Sequence, residues 1–115
     1  MRIGGLSART GVSQRLLRYY EEQELLSTKR DSNGYRIYDD DAVTTVRQIR
    51  ALLAAGLTTC VIRKLLPCAR GEKPELELCP EVVSTLREQL DALDERIDDL
   101  RQTRGALAAY VPTAG

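Results

Sequence analysis

The sequence predicts a mainly α-helical fold: a helix-turn-helix with a β-hairpin wing, followed by a long C-terminal helix. Three observations predict it. Two short apolar-periodic segments separated by Gly11 lie within the first 23 residues. An Asn33-Gly34 turn between β-capable ends follows them. A leucine-rich stripe then runs from Val83 to Leu107 in alternating three- and four-residue steps.

In the first segment, Ile3, Leu6, Ala8 and Val12 mark a short amphipathic helix that Gly11 stops. Ser13 reads as the N-cap of a second helix over 13–23, with Leu16, Leu17 and Tyr20 facing inward. A tight glycine turn between two such helices has helix-turn-helix spacing, although any packed pair of helices would share it. The next segment, 27–38, is read as a hairpin turning through Asp31-Ser32-Asn33-Gly34. It carries Lys29, Arg30 and Arg36 beside Tyr35 and Tyr38. A hairpin directly after a helix-turn-helix is a wing, and arginine interleaved with tyrosine suits a nucleic-acid backbone. An ordinary solvated hairpin would leave the clustered tyrosines without a purpose.

A third helix is expected over 39–55, acidic in its first turn, with Val43, Val46, Ile49, Leu52 and Leu53 at helical spacing. Gly56 ends it. Thr58 caps a fourth, carrying Val61, Ile62, Leu65 and Leu66, and Pro67 stops that one. Residues 68–79 read as a polar linker loop containing Gly71 and Pro74. Pro80 suits the first position of the last helix. That helix aligns Val83, Leu86, Leu90, Leu93, Ile97, Leu100 and Leu107 on one seam, broken only by Arg104. At 1.5 Å per residue it is about 40 Å long. A domain this small cannot bury the whole stripe, so Leu86, Leu90, Leu93, Ile97 and Leu100 are expected to meet a second copy. The division read from the sequence is a helix-turn-helix and wing over 1–67, a linker over 68–79 and a dimerisation helix over 80–110.

Charge and composition agree with this division. The 115 residues carry 17 basic and 17 acidic side chains, so net charge gives no support to nucleic-acid binding. Basic residues nevertheless dominate up to Tyr38, and acidic ones dominate from Glu81 onward. Only the front half would then face phosphate. No apolar run approaches a membrane span and no signal-peptide core precedes the first helix, so a soluble cytoplasmic protein without a membrane partner is expected. The absence of histidine excludes His-based acid–base chemistry. No phosphate-binding glycine loop or nucleophile elbow is present, so no enzyme is expected.

With the elements in order, the sequence resembles the MerR family of transcription regulators. The resemblance rests on Ile3-Gly4, Leu6, Ala8, Thr10-Gly11-Val12-Ser13, Leu17-Arg18-Tyr19-Tyr20-Glu21, Leu25-Leu26, Asn33-Gly34-Tyr35-Arg36, Tyr38, Ile49 and the stretch 56–66. It implies a homodimer joined by an antiparallel coiled coil of the C-terminal helices. It also implies double-stranded promoter DNA as partner, bound at a near-palindromic operator between the promoter hexamers. The spacer is bent and untwisted there so that RNA polymerase engages both hexamers. By the same resemblance Ser13, Gln14, Arg15, Arg18 and Tyr19 meet the major groove and its phosphates, and Arg30, Tyr35 and Arg36 meet the backbone from the wing. A DNA-architectural or excisionase-like accessory protein is the alternative, which the long seam helix disfavours.

Two positions depart from the family pattern. Glu24 stands where the family usually has glycine, so it must avoid or tolerate a left-handed cap. Leu53-Ala54-Ala55 precede Gly56 where a basic residue is often found, and Arg50 is the nearest substitute. Sensing in the family usually resides beyond the dimerisation helix, and a short member without a separate effector domain is expected. Three readings of the cysteines stay open. Cys60, Cys68 and Cys79 could simply pack. Cys68 and Cys79 could form a thiol sensor, since helix N-termini favour thiolate chemistry. All three could bind a soft metal, although they include no CxxC pair and have no histidine beside them. No other cofactor is expected.

Overall fold

The computed structural model describes residues 1–72 and 75–113. They fall into two compact units, residues 1–77 and 78–115.

The first unit opens with α1 (Ile3–Thr10), which ends where Gly11 turns left-handed at φ 73°. Ser13 then caps α2 (Gln14–Glu22) by accepting a hydrogen bond from the Leu16 amide at 3.2 Å. The end of α2 is a Schellman motif. The Leu25 amide reaches back to the Tyr20 carbonyl at 2.9 Å and the Glu24 amide to the Glu21 carbonyl at 3.0 Å. That geometry needs a left-handed residue at Glu24, whose φ is 61°. Among the described residues it is the one non-glycine with positive φ. The unusual glutamate therefore tolerates the cap rather than avoiding it, at a cost of about 1 kcal/mol.

The wing is a two-stranded antiparallel hairpin, β1 (Lys29–Arg30) against β2 (Arg36–Ile37), pairing Lys29 with Ile37 and Arg30 with Arg36. Asp31 shapes its turn. Its Oδ1 accepts the amides of Asn33 at 2.8 Å and Tyr35 at 3.0 Å, and Gly34 takes φ 82°. The chain then returns to its own start, with Tyr38 and Met1 exchanging backbone hydrogen bonds of 2.7 Å in both directions.

Helices α3 (Asp41–Ala54) and α4 (Thr59–Leu65) complete the core, with Thr58 capping α4 through the Val61 amide. A 3-10 turn, Leu66–Cys68, carries Pro67 past the end of α4. Leu6 from α1, Leu17 and Tyr20 from α2, Tyr38 just after β2, Val46 and Ile49 from α3, and Ile62 from α4 are essentially fully buried in one cluster. Truncating Ile49 or Leu17 to alanine would remove about 2–5 kcal/mol.

Three expectations need correction. Leu16 is 38% exposed rather than inward. The buried edge of α2 runs through Leu17 and Tyr20, and Leu16 lies about 100° round the helix from Leu17. Ala8 is likewise exposed, the buried residue of α1 being Leu6. The segment expected to be a polar loop contains a second small hairpin, β3 (Ala69–Arg70) against β4 (Glu75–Leu76). Alternation of apolar and charged residues in so short a run was too weak to register as a strand. This hairpin is tied to α3, because the side-chain amide of the buried Gln48 donates to the Gly71 carbonyl at 3.1 Å and Arg47 pairs with Glu72. Pro74, expected in the loop, lies outside the described residues.

The second unit holds α5 (Pro80–Ala108), with Cys79 at its N-cap and Pro80 at its first position. Leu86 is half-buried, whereas Leu90, Leu93, Ile97, Leu100 and Leu107 are exposed, from 43% at Leu93 to 67% at Leu107. Exposed apolar side chains at seam spacing along one helix are unusual in a protein left to itself in water. Among the described residues no helix is long and apolar enough to cross a membrane.

Candidate nucleic-acid interface

Two features of the first unit bring basic and aromatic side chains together. On α2 the residues Gln14, Arg15, Arg18 and Tyr19 are all exposed, and their spacing gathers them on one face. Leu17 and Tyr20 hold the opposite face in the core, so the helix presents that polar face rigidly. Among the described residues neither Arg15 nor Arg18 has a hydrogen-bonding or ion-pair partner for its side chain. Ser13 is exposed at the head of the helix with its Oγ accepting the cap bond, which leaves its hydroxyl proton free to donate.

Beside this face, a cleft of about 190 Å³ is lined by Arg2, Ile3, Arg18, Arg30, Gly34, Tyr35 and Arg36. It gathers Arg18 from α2 with Arg30, Tyr35 and Arg36 from the wing. Arg2 and Ile3 were not anticipated. The only sequence signal for Arg2 was its membership in the basic front half of the chain.

The wing's arginines are held in different ways. Arg30 donates to the Gly34 carbonyl at 2.8 Å across its own hairpin. Arg36 donates through Nε to Glu21 Oε2 at 3.1 Å, and the buried Tyr38 hydroxyl donates to the same oxygen at 3.2 Å. Glu21 is thus the anchor that fixes the wing to the end of α2, a role sequence reasoning missed although Glu21 belongs to the run that carried the resemblance. Burial raises the Tyr38 hydroxyl above its ordinary pKa, and the Glu21 carboxylate adds to that by disfavouring a second negative charge. Tyr20 is raised by burial as well, partly offset by the positive charge of Arg50. Arg50, the substitute considered for a second backbone contact, is exposed.

The arrangement is a rigid basic surface with aromatic edges. The family model described as MerR HTH family regulatory protein matches residues 1–68. A second, described as MerR, DNA binding, matches residues 43–110. The chain belongs to the MerR family. Among MerR relatives, the transcriptional regulator HmrR of Sinorhizobium medicae is 32% identical over 114 residues, covering 96% of this chain and 76% of HmrR. Nodulation protein NolA of Bradyrhizobium elkanii is 33% identical over 121 residues, covering 93% of this chain. The chain spans only 55% of that NolA and 28% of its Bradyrhizobium diazoefficiens counterpart. The crystal structure of the transcription regulator PbrR691 from Ralstonia metallidurans, in complex with lead(II), superposes with a TM-score of 0.78 at 28% identity. That match covers 95% of this chain and 83% of PbrR691.

None of the three thiols of this MerR chain lines the basic cleft. Cys60 is exposed on α4, Cys68 ends the 3-10 turn and Cys79 heads α5, the last two half-buried, and all three are free. Among the described residues no three histidine, cysteine, aspartate or glutamate side chains are grouped to hold a metal ion.

Proposed function

We propose that the chain is a DNA-binding transcription regulator. It acts as a homodimer joined through the exposed stripe of α5, with two winged units straddling a near-palindromic operator within a promoter. Distortion of the spacer between the promoter hexamers then governs their engagement by RNA polymerase. The observation that carries this reading is the exposed face of Gln14, Arg15, Arg18 and Tyr19 on α2, set beside a cleft that joins Arg18 and Arg2 to Arg30 and Arg36 of the wing. Helix residues of this kind read base edges in the major groove, while arginines held on a hairpin bind phosphate and fix the register. The kinship with HmrR, a transcriptional regulator, favours this over an accessory role in recombination or DNA architecture.

Selection of bound fragments from a genomic library tests the proposal. A dyad within long-spaced promoters is the expected result. Scattered AT-rich sites with no dyad would overturn it in favour of an architectural protein.

A further inference from the structure

We propose that Arg2 is a phosphate-binding residue, a third element of the DNA contact beside α2 and the wing, and that Tyr35 and Asp31 hold it in position. The inference rests on the DNA-binding reading above and adds a residue to it. The Arg2 guanidinium stacks over the Tyr35 ring, 4.7 Å from its centroid. One face of the cation is thereby covered without using any of its N–H groups. Asp31 approaches through Oδ2 only, at 3.9 Å, too long for a hydrogen bond. The other Asp31 oxygen is occupied by the turn amides of Asn33 and Tyr35. Among the described residues the Arg2 side chain donates no hydrogen bond to oxygen or nitrogen, and it is 65% exposed. It is therefore oriented by a ring and a carboxylate while its donors remain open.

Its surroundings call for an anion. The cleft collects four guanidiniums, from Arg2, Arg18, Arg30 and Arg36, against the carboxylates of Glu21 and Asp31. Arg36 already commits its Nε to Glu21, and Arg30 one NH1 proton to the Gly34 carbonyl, so among the described residues Arg2 and Arg18 are the two in the cleft with no N–H yet donated to oxygen or nitrogen. They reach the cleft from different elements, Arg2 from the N-cap of α1 and Arg18 from within α2. A phosphodiester accepts hydrogen bonds from both on separate oxygens, and a guanidinium already ordered by stacking loses little freedom in binding it. The fixed chain start supports this, because the Met1–Tyr38 backbone pairing holds the residue next to Arg2.

The test compares wild type with Arg2→Gln and Arg2→Lys, each first checked for an unchanged melting temperature. Binding is measured across a salt series on a duplex carrying the selected site and on sheared genomic DNA. Arg2→Gln removes one phosphate contact from each winged unit of the dimer, so it is expected to lower the slope of log affinity against log salt by about 1.8, and affinity by about sixtyfold at about 0.1 M salt, on both DNAs. Arg2→Lys, which keeps the charge, should retain the wild-type slope. An unchanged slope in Arg2→Gln, a slope in Arg2→Lys as low as that of the glutamine variant, or a loss confined to the selected site would each overturn the assignment. If wild type itself binds neither DNA, the DNA-binding reading fails, a result distinct from failure of Arg2 alone.

Discussion

Glu21 holds Arg36 at 3.1 Å and Tyr38 at 3.2 Å through one carboxylate oxygen, which joins the end of α2 to the second strand of the wing. Both charged side chains of this pair are less than one-third exposed. Replacing Glu21 by alanine strands a guanidinium and a hydroxyl together. The expected destabilisation is about 1–3 kcal/mol, read as a lower denaturation midpoint with unchanged m-value. An unaltered midpoint would mean that the wing docks without this anchor.

The same pairing separates two arginines that look equivalent in sequence. Arg18 has no partner among the described residues, whereas Arg36 is engaged by Glu21. Arg18→Ala, which removes one contact from each unit of the dimer, is therefore expected to reduce the salt slope of DNA binding by about 1.8 with little change in stability. Arg36→Ala should lose stability and change the slope less. Equal slopes in the two variants, both lower than wild type, would show that Arg36 leaves Glu21 to bind phosphate.

Glu24 provides a prediction in the stabilising direction. Its φ of 61° is strained for a residue with a Cβ, and its compensation is a 3.5 Å contact with Arg63 between well-exposed side chains. Exposed pairs of that kind contribute little. Glu24→Gly should raise stability by about 0.5–1 kcal/mol, since relief of the left-handed strain exceeds the lost pair. Thermal melting of the two proteins side by side decides it, and a lower midpoint in the glycine variant would contradict the strain argument.

The parts legible in the sequence are those where one residue type answers one local demand. Ser13 and Thr58 cap, Gly11 and Gly56 turn left-handed, and the apolar positions of α3 repeat at helical spacing. The left-handed demand at position 24 was legible too, although not whether glutamate would meet it. What escaped depends on geometry between distant segments. The Glu21–Arg36 anchor spans 15 residues and the Gln48–Gly71 bond spans 23, and neither leaves a local pattern. Arg2 gave only a charge ahead of an apolar helix, since its meaning comes from the Tyr35 ring above which it lies. Leu16 was misassigned because an apolar residue beside a buried one is ambiguous on a two-turn helix.

For α5 the prediction concerns association. Leu93 and Ile97 are 43% and 45% exposed in the single chain and sit centrally on the apolar stripe. A dimer would cover them, and a carboxylate at either position would then be buried without a partner. Leu93→Glu and Ile97→Glu are expected to sediment as monomers at concentrations where wild type is dimeric. A monomeric wild type, or a glutamate variant that dimerises as wild type does, would remove α5 as the joining element.

The last prediction is a pH effect. Tyr38 and Tyr20 both have hydroxyls raised above the ordinary tyrosine value of 10.0, chiefly by burial. In the unfolded chain they lose their protons near pH 10, while in the fold they hold them to higher pH. Their contribution to stability is thus fully present below about pH 10 and is lost as pH climbs through the raised folded values, because the unfolded state ionises first. Tyr38→Phe is expected to start less stable at neutral pH, having lost the hydroxyl's bond to Glu21, yet to fall less steeply above pH 10. Groups common to both proteins cancel in the difference between the two curves. Chemical denaturation at steps from neutral to strongly alkaline pH measures that difference, which should narrow as pH rises. Parallel curves through the whole range would mean that Tyr38 titrates alike in the folded and unfolded chains.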